Sequence, residues 1–256
     1  NIKKDAPYSV VPRMWGGVTN AAELRRIADV ADKYQVPMVK VTGGQRIDLL
    51  GIRKEDLPGV WKDLDMPSGH AYGKSIRTVK TCVGSEFCRF GTQNSTQMGI
   101  DLEHALFNMW SPHKVKLAVS GCPRNCAESG IKDVGIIGVD SGWELYIGGN
   151  GGIKTEAGEF FVKVKSAEEV MEYSLAFLQL YREEAFYLER TVHYLQRVGM
   201  DHIKQAVLND AERRKALHQR LLFSLSFEQD PWQEQLSKPQ LKKEFDRIAV
   251  KQLENA

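Results

Sequence analysis

Apolar and polar positions along the 256-residue chain change period part-way, from short mixed runs to a sustained helical spacing beginning at Ser166. The opening stretch Asn1–Gly17 carries Pro7, Pro12 and a Gly16-Gly17 pair, and is expected to be an extended arm or linker leading into the fold. Thr19 or Asn20 can cap a helix to about Gln35, with Leu24, Ile27, Ala28 and Ala31 on its buried face. A strand Met38–Thr42, a break at Gly43-Gly44, a second strand Arg46–Ile52 and a helix from Asp56 to Leu64 follow. Ser75–Thr81 is expected as a strand ending at Cys82. Ser95 can cap a helix to about Trp110 that turns Met98, Leu102, Leu106 and Met109 inward. Lys114–Val119 is expected as a strand stopped by Ser120-Gly121-Cys122, with further strands at Lys132–Val139, Trp143–Ile147 and Glu159–Val164. Beyond Ser166, Val170, Tyr173, Ser174, Phe177, Leu178 and Tyr181 fit one buried helical stripe, and Leu188, Val192 and Leu195 continue in a second helical stretch. Pro231 and Pro239 then precede an amphipathic segment Leu241–Leu253. The order predicts an α+β chain in three parts: residues 1–73, a mixed domain 74–165, and a helical region 166–256.

Composition narrows the class. Thirty-five Lys and Arg against 33 Asp and Glu leave a net charge of +2, so no bulk field draws the chain to nucleic acid or an anionic membrane. No apolar run approaches the roughly 18 residues of a membrane span, and no signal segment opens the chain. A soluble cytoplasmic protein is expected, and a start at Asn1 suggests a piece of something longer.

Four cysteines, Cys82, Cys88, Cys122 and Cys126, carry the chemical signal. They cluster in two pairs in a chain that is neither short nor cysteine-dense, which argues against a secreted disulfide framework. The spacing is C-x5-C, a long interval, then C-x3-C. A zinc knuckle wraps one ion with a tighter turn, whereas a four-iron cubane takes thiolates from more than one segment. An iron–sulfur cluster is therefore favoured over zinc, with incidental thiols as a third reading. Pro123 can pre-set a helical turn between Cys122 and Cys126 whose N–H groups point at sulfur.

Cations gather around these cysteines in sequence. Lys114 and Lys116 are two apart on an expected strand and so leave the same face. With Arg46, Arg77, Arg89 and Arg124 they suit an anionic substrate, a polycarboxylate cofactor, or both. The glycine-rich run Gly148–Gly152 lacks a phosphate-loop Lys-Ser/Thr pair and reads as a loop between strands. His104 and His113 are expected in ordinary structural or surface roles.

The run TCVGSEFCRFGTQNSTQMG…HKVKLAVSGCPRNCAESG, from Thr81 to Gly130, resembles the sirohaem-dependent nitrite and sulfite reductase family, and most closely its NAD(P)H-dependent nitrite reductase branch. The likeness covers roughly Val10–Arg197, and VTGGQRIDLLGI is similar to the family's ferredoxin-like half-domain. The resemblance implies a 4Fe-4S cluster on Cys82, Cys88, Cys122 and Cys126, with Cys126 also bridging to the sirohaem iron. It makes Lys114, Lys116 and Arg77 the residues lining the face that binds nitrite. The family's other arginine sits in a T-x-R-Q arrangement, a place held here by Gly44; Arg46, two residues on, is the candidate substitute. Thr92, Gln93, Asn94, Arg124 and Asn125 are implied partners for the sirohaem carboxylates.

The implied activity is six-electron reduction of nitrite to ammonia, with sulfite reduction on the same cofactors, a cluster-only electron-transfer module and a zinc-stabilised module as alternatives. Family members that fuse two copies of this unit take cysteines from one copy and lysines from the other. A single copy therefore implies a two-fold homodimer with composite sites. No G-x-G-x-x-G unit occurs, so electrons are expected from upstream flavin and NAD(P)H modules or a small subunit.

Overall fold

The computed structural model describes residues 7–70 and 73–238. The expected amphipathic segment 241–253 lies outside the described residues. Two apolar cores organise the chain.

The first core is built on an antiparallel sheet of order β1-β3-β2, from β1 (Tyr8–Val10), β2 (Met38–Thr42) and β3 (Arg46–Ile52). Helices α1 (Ala21–Lys33) and α2 (Leu57–Leu64) pack on it. Asn20 caps α1 by accepting the Ala22 and Glu23 N–H groups. Its buried face is Ile27 and Val30, with Ala31 partly covered; Leu24 and Ala28 are exposed. The expected stripe is thus rotated about the helix axis, because α2 meets α1 on the Val30 side. The opening arm is no linker. Tyr8–Val10 pairs with β3, and Val10, Val11, Arg13 and Met14 are buried.

A five-stranded sheet of order β10-β7-β6-β5-β4 carries the second core. Its strands are β4 (Lys80–Thr81), β5 (Leu117–Ser120), β6 (Val134–Val139), β7 (Gly142–Ile147) and β10 (Glu159–Val164). A small hairpin of β8 (Asn150–Gly151) and β9 (Thr155–Glu156) occupies the glycine-rich loop. Strands β4, β5 and β6 run parallel, and β6, β7 and β10 antiparallel. The expected strand Ser75–Thr81 contracts to its last two residues; before them only isolated bridges Ser75–Trp110 and Ile76–Val115 form. The strand after the lysines likewise begins at Leu117 rather than Lys114.

After the four-residue turn α3 (Gly84–Phe87), α4 (Ser95–Ala105) crosses the sheet with Met98 and Leu102 buried, and Leu106 and Met109 continue that face. Its cap is Asn94, which accepts the Gln97 N–H, while Ser95 bonds Cys82 instead. Helix α5 (Ala167–Glu184) starts on a Ser166/Glu169 capping box and is buried almost all round from Ser174 to Tyr181. It shares the second core with α6 (Thr191–Val198), α7 (Met200–Lys204) and α8 (Ala211–Leu225). Leu188 is exposed in the turn before α6, with φ +66°, so the expected second helical stretch begins after it, with Val192 and Leu195 buried. Helix α9 (Pro231–Ser237) returns to the first core, where Trp232 stacks on Trp61.

Candidate functional site

Parallel pairing of β4 with β5 sets the ends of both strands side by side, and a cysteine follows each: Cys82 after β4 and Cys122 after β5. The two loops are bound to each other by main-chain groups. Thr92 and Gln93 both donate N–H to the Gly121 carbonyl, at 2.8 and 3.0 Å. A Cβ on Gly121 would lie 2.8 Å from the Gly84 Cα and 2.8 Å from the Gln93 carbonyl, so only glycine permits this approach. Across it, the Gly121 N–H donates to Cys82 Sγ at 3.1 Å, and Ser95 Oγ lies 3.2 Å from the same sulfur. All four cysteines are free of disulfides. Cys82 and Cys126 line one open cavity with Gly16, Gln45 and Thr96. Among the described residues no three His, Cys, Asp or Glu side chains converge on a single ion. Free thiols on two loops held together by main-chain bonds, one sulfur already accepting an N–H, are a donor set that a cluster taking thiolates from two segments can use.

Of the residues expected to meet the sirohaem carboxylates, Thr92, Gln93, Asn94 and Asn125 hold the loops through their side chains. Thr92 Oγ1 donates to the Gly121 carbonyl, Gln93 to the Val139 carbonyl, and Asn94 both caps α4 and donates to Glu86. Asn125, at φ +56°, accepts from Ser120 Oγ and the Gly130 N–H, each at 3.3 Å. Arg124 and Arg89 stack on Phe90, their guanidinium carbons 3.9 and 4.5 Å from the ring centre.

A second cavity, of about 350 Å³, gathers the cations. Arg46, Arg77, Lys114 and Lys116 line it, together with Lys80, Lys132 and Glu128. Arg46 reaches it by folding its guanidinium over Gly44, where a Cβ would meet Nη2 at 2.8 Å. The turn carrying it is fastened to β4 by Gln45, which donates to the Thr81 carbonyl at 2.7 Å and accepts the Thr81 N–H at 2.8 Å. Arg77 donates to the His70 carbonyl. Burial, with Lys114 and Arg190 nearby, lowers the Lys116 pKa from the ordinary lysine value. His113 Nδ1 accepts the Lys114 N–H at 2.7 Å, and burial lowers its pKa. His104 stacks on Trp15 at 4.0 Å.

Lys80, Lys132 and Glu128 were not singled out from sequence. Glu128 bridges both lysines, at 3.1 and 3.0 Å, and the hydrogen bonds from Lys132 and Lys80 hold its carboxyl below the usual range. The i, i+4 spacing of Glu128 and Lys132 was the available signal.

The profile described as the nitrite and sulphite reductase 4Fe-4S domain matches residues 72–215, more than half the chain. The chain belongs to the nitrite and sulphite reductase family. The family's ferredoxin-like half domain matches residues 1–67. An NAD(P)H nitrite reductase of Bacillus subtilis (strain 168) is 63% identical over 98% of this chain and 31% of its own length. An assimilatory-type sulfite reductase of Nitratidesulfovibrio vulgaris is 35% identical over 78% of this chain and 92% of its own. The chain thus spans about a third or less of the nitrite reductases it matches. The fold is shared with the Mycobacterium tuberculosis NirA protein at a TM-score of 0.69 and 19% identity, over 78% of this chain and 39% of that one. No described helix is long and apolar enough to cross a membrane.

Proposed function

We propose that this chain is the catalytic module of an NAD(P)H-linked nitrite reductase, carrying out the six-electron reduction of nitrite to ammonia. The observation that carries the reading is the convergence of Arg46, Arg77, Lys114 and Lys116, from separate stretches of chain, on one cavity. The 63% identity to a nitrite reductase supports nitrite as the anion.

Cys82, Cys88, Cys122 and Cys126 would hold the 4Fe-4S cluster, with Cys126 shared with sirohaem, whose carboxylates Thr92, Gln93, Asn94, Arg124 and Asn125 would face. Once bound, these groups supply electrons one at a time at a metal centre. The remaining work belongs to the chain. The cations hold the anion and polarise its N–O bonds, each charge-assisted hydrogen bond being worth ~1.5–3 kcal/mol. Lys116, with its lowered pKa, gives up a proton more readily than an exposed lysine as oxygen leaves as water. The electrons would come from NAD(P)H, the donor in the name of the Bacillus relative, through flavin and nicotinamide modules or a small subunit outside this stretch.

Each active site is shared between two protomers in this reading. Lys114 and Lys116 precede β5 and Cys122 follows it, so the strand itself, four residues or about 13 Å at ~3.3 Å per residue, stands between them. The cavity lined by Cys82 and Cys126 shares no residue with the cation cavity. Cysteines of one protomer facing lysines of the other remove the mismatch, giving two equivalent sites. Sulfite is the second reading, favoured by the match to nearly the whole of a sulfite reductase.

A visible spectrum of the purified enzyme with iron and acid-labile sulfide analysis tests the cofactors, and steady-state turnover of nitrite against sulfite tests the substrate. Haem bands with about four cluster irons plus one haem iron per chain are expected. A colourless zinc protein would overturn the assignment, and a higher kcat/KM for sulfite would move it to the second reading.

A further inference from the structure

We infer that Asp133 is the positioning residue of the lysine pair, its buried carboxylate standing in for a strand carbonyl beneath Lys116 and tying that residue to the start of α6. The inference rests on the anion-site reading of Lys114 and Lys116 and deepens it.

The β5–β6 ladder begins with Leu117 opposite Val134. One step earlier both polar groups of the Lys116 main chain are still held from the β6 side. Its carbonyl accepts the Val134 N–H at 3.3 Å, and its N–H donates to Asp133 Oδ2 at 2.8 Å. A side-chain oxygen thus does what a neighbouring strand's carbonyl would do, and brings a negative charge with it. The same carboxylate accepts from Arg190 Nη2 at 3.1 Å and from the Thr191 hydroxyl. Its own carbonyl accepts the Gly148 N–H at 3.0 Å, which fixes the residue on the side of β7. Asp133 and Thr191 are at most 1% exposed. Asp133 is absent from the cavity lining, so it acts through Lys116 and not on a bound anion.

The charge matters as well as the hydrogen bond. Arg46, Arg77, Lys80, Lys114 and Lys132 face the cavity with Lys116, and Arg190 approaches from the turn before α6; Glu128 is engaged by Lys80 and Lys132. Of the groups acting on Lys116, Lys114, Arg190 and Lys132 disfavour its protonated form, and Asp133 favours it.

The test is a titration of the Lys116 side chain by carbon NMR in the intact chain, with the resonance assigned through Lys116→Arg. Asp133→Asn keeps an oxygen for the Lys116 N–H and removes the charge, so the Lys116 midpoint is expected to fall further. Arg190→Gln removes the opposing charge, and the midpoint is expected to rise. Opposite shifts support the inference. A structural prop alone would destabilise both variants without moving Lys116 in opposite directions, and unshifted midpoints overturn it. Should Asp133→Asn fail to fold, Thr191→Val loosens the carboxylate more gently and is expected to speed exchange of the Lys116 amide proton; an amide as protected as in the parent overturns the link. In the holoenzyme, Asp133→Asn is expected to weaken nitrite binding about tenfold in a spectral titration. Failure of the anion-site reading is seen separately, as unchanged nitrite affinity in Lys116→Ala while the NMR shifts persist.

Discussion

At the scale of single residues, Lys116 carries the sharpest test of the proposed anion site. Replacing it with Ala is expected to leave the cofactor spectrum intact and lower nitrite turnover by about 10²–10³-fold, since it removes a charged donor from the proposed anion site. The pH profile follows from the direction of its shift. Burial beside Lys114 and Arg190 lowers its pKa, so the proton leaves before that of an exposed lysine as pH rises. Nitrite affinity should therefore fall on the alkaline side earlier than an ordinary lysine would dictate, and Lys116→Arg should move that limb upward in a binding titration. The lysine pair was legible in sequence from its period of two, although neither residue lies in the strand that suggested it. Two turns of a ladder are absent there, and Asp133 and His113 side chains supply acceptors instead. No pattern of hydrophobicity encodes that substitution. Arg46 is similar: strand alternation indicated a face, but the side chain reaches the cavity because Gly44 leaves room for it.

Among the elements, the two cysteine loops show what spacing can and cannot say. C-x5-C and C-x3-C announce a shared ligand, yet the device that joins the loops is Gly121, which the sequence marked only as a turn. Gly121→Ala would press a methyl against the Gly84 and Gln93 main chain. Iron and acid-labile sulfide per chain should drop sharply in that variant while the helical circular dichroism, to which the long helices α1, α5 and α8 away from these loops contribute most, stays near the parent's. The strands β2, β3 and β10 and the start of α5 were readable because glycine breaks and a Ser-x-x-Glu cap punctuate them. The face of α1 and the place of Leu188 were not, because each depends on which neighbour arrives. Helix α2 decides the former, and a tight turn against the Pro112 carbonyl decides the latter.

For the whole molecule, the separation of lysines from cysteines by β5 makes a prediction about pairs of chains. Cys126→Ser and Lys116→Ala should each be inactive alone. Co-expressed, they should recover roughly a quarter of the parent's nitrite turnover, since about half of random dimers are mixed and each mixed dimer has one intact shared site. Sites contained within single chains would recover none. A different long-range tie sets where the chain tolerates a cut. Glu103 on α4 is fully buried; it pairs with Arg13 at 2.8 Å and accepts the Gly16 and Val79 N–H groups. The two family matches meet between residues 67 and 72, which invites excision of the second as a free-standing fragment. Such a fragment would leave behind Arg13 and Gly16, which satisfy this carboxylate, and strip the cover from α4, so it is expected to melt below the full chain. Boundaries that divide the sequence cleanly into modules would here cut through a single folding unit.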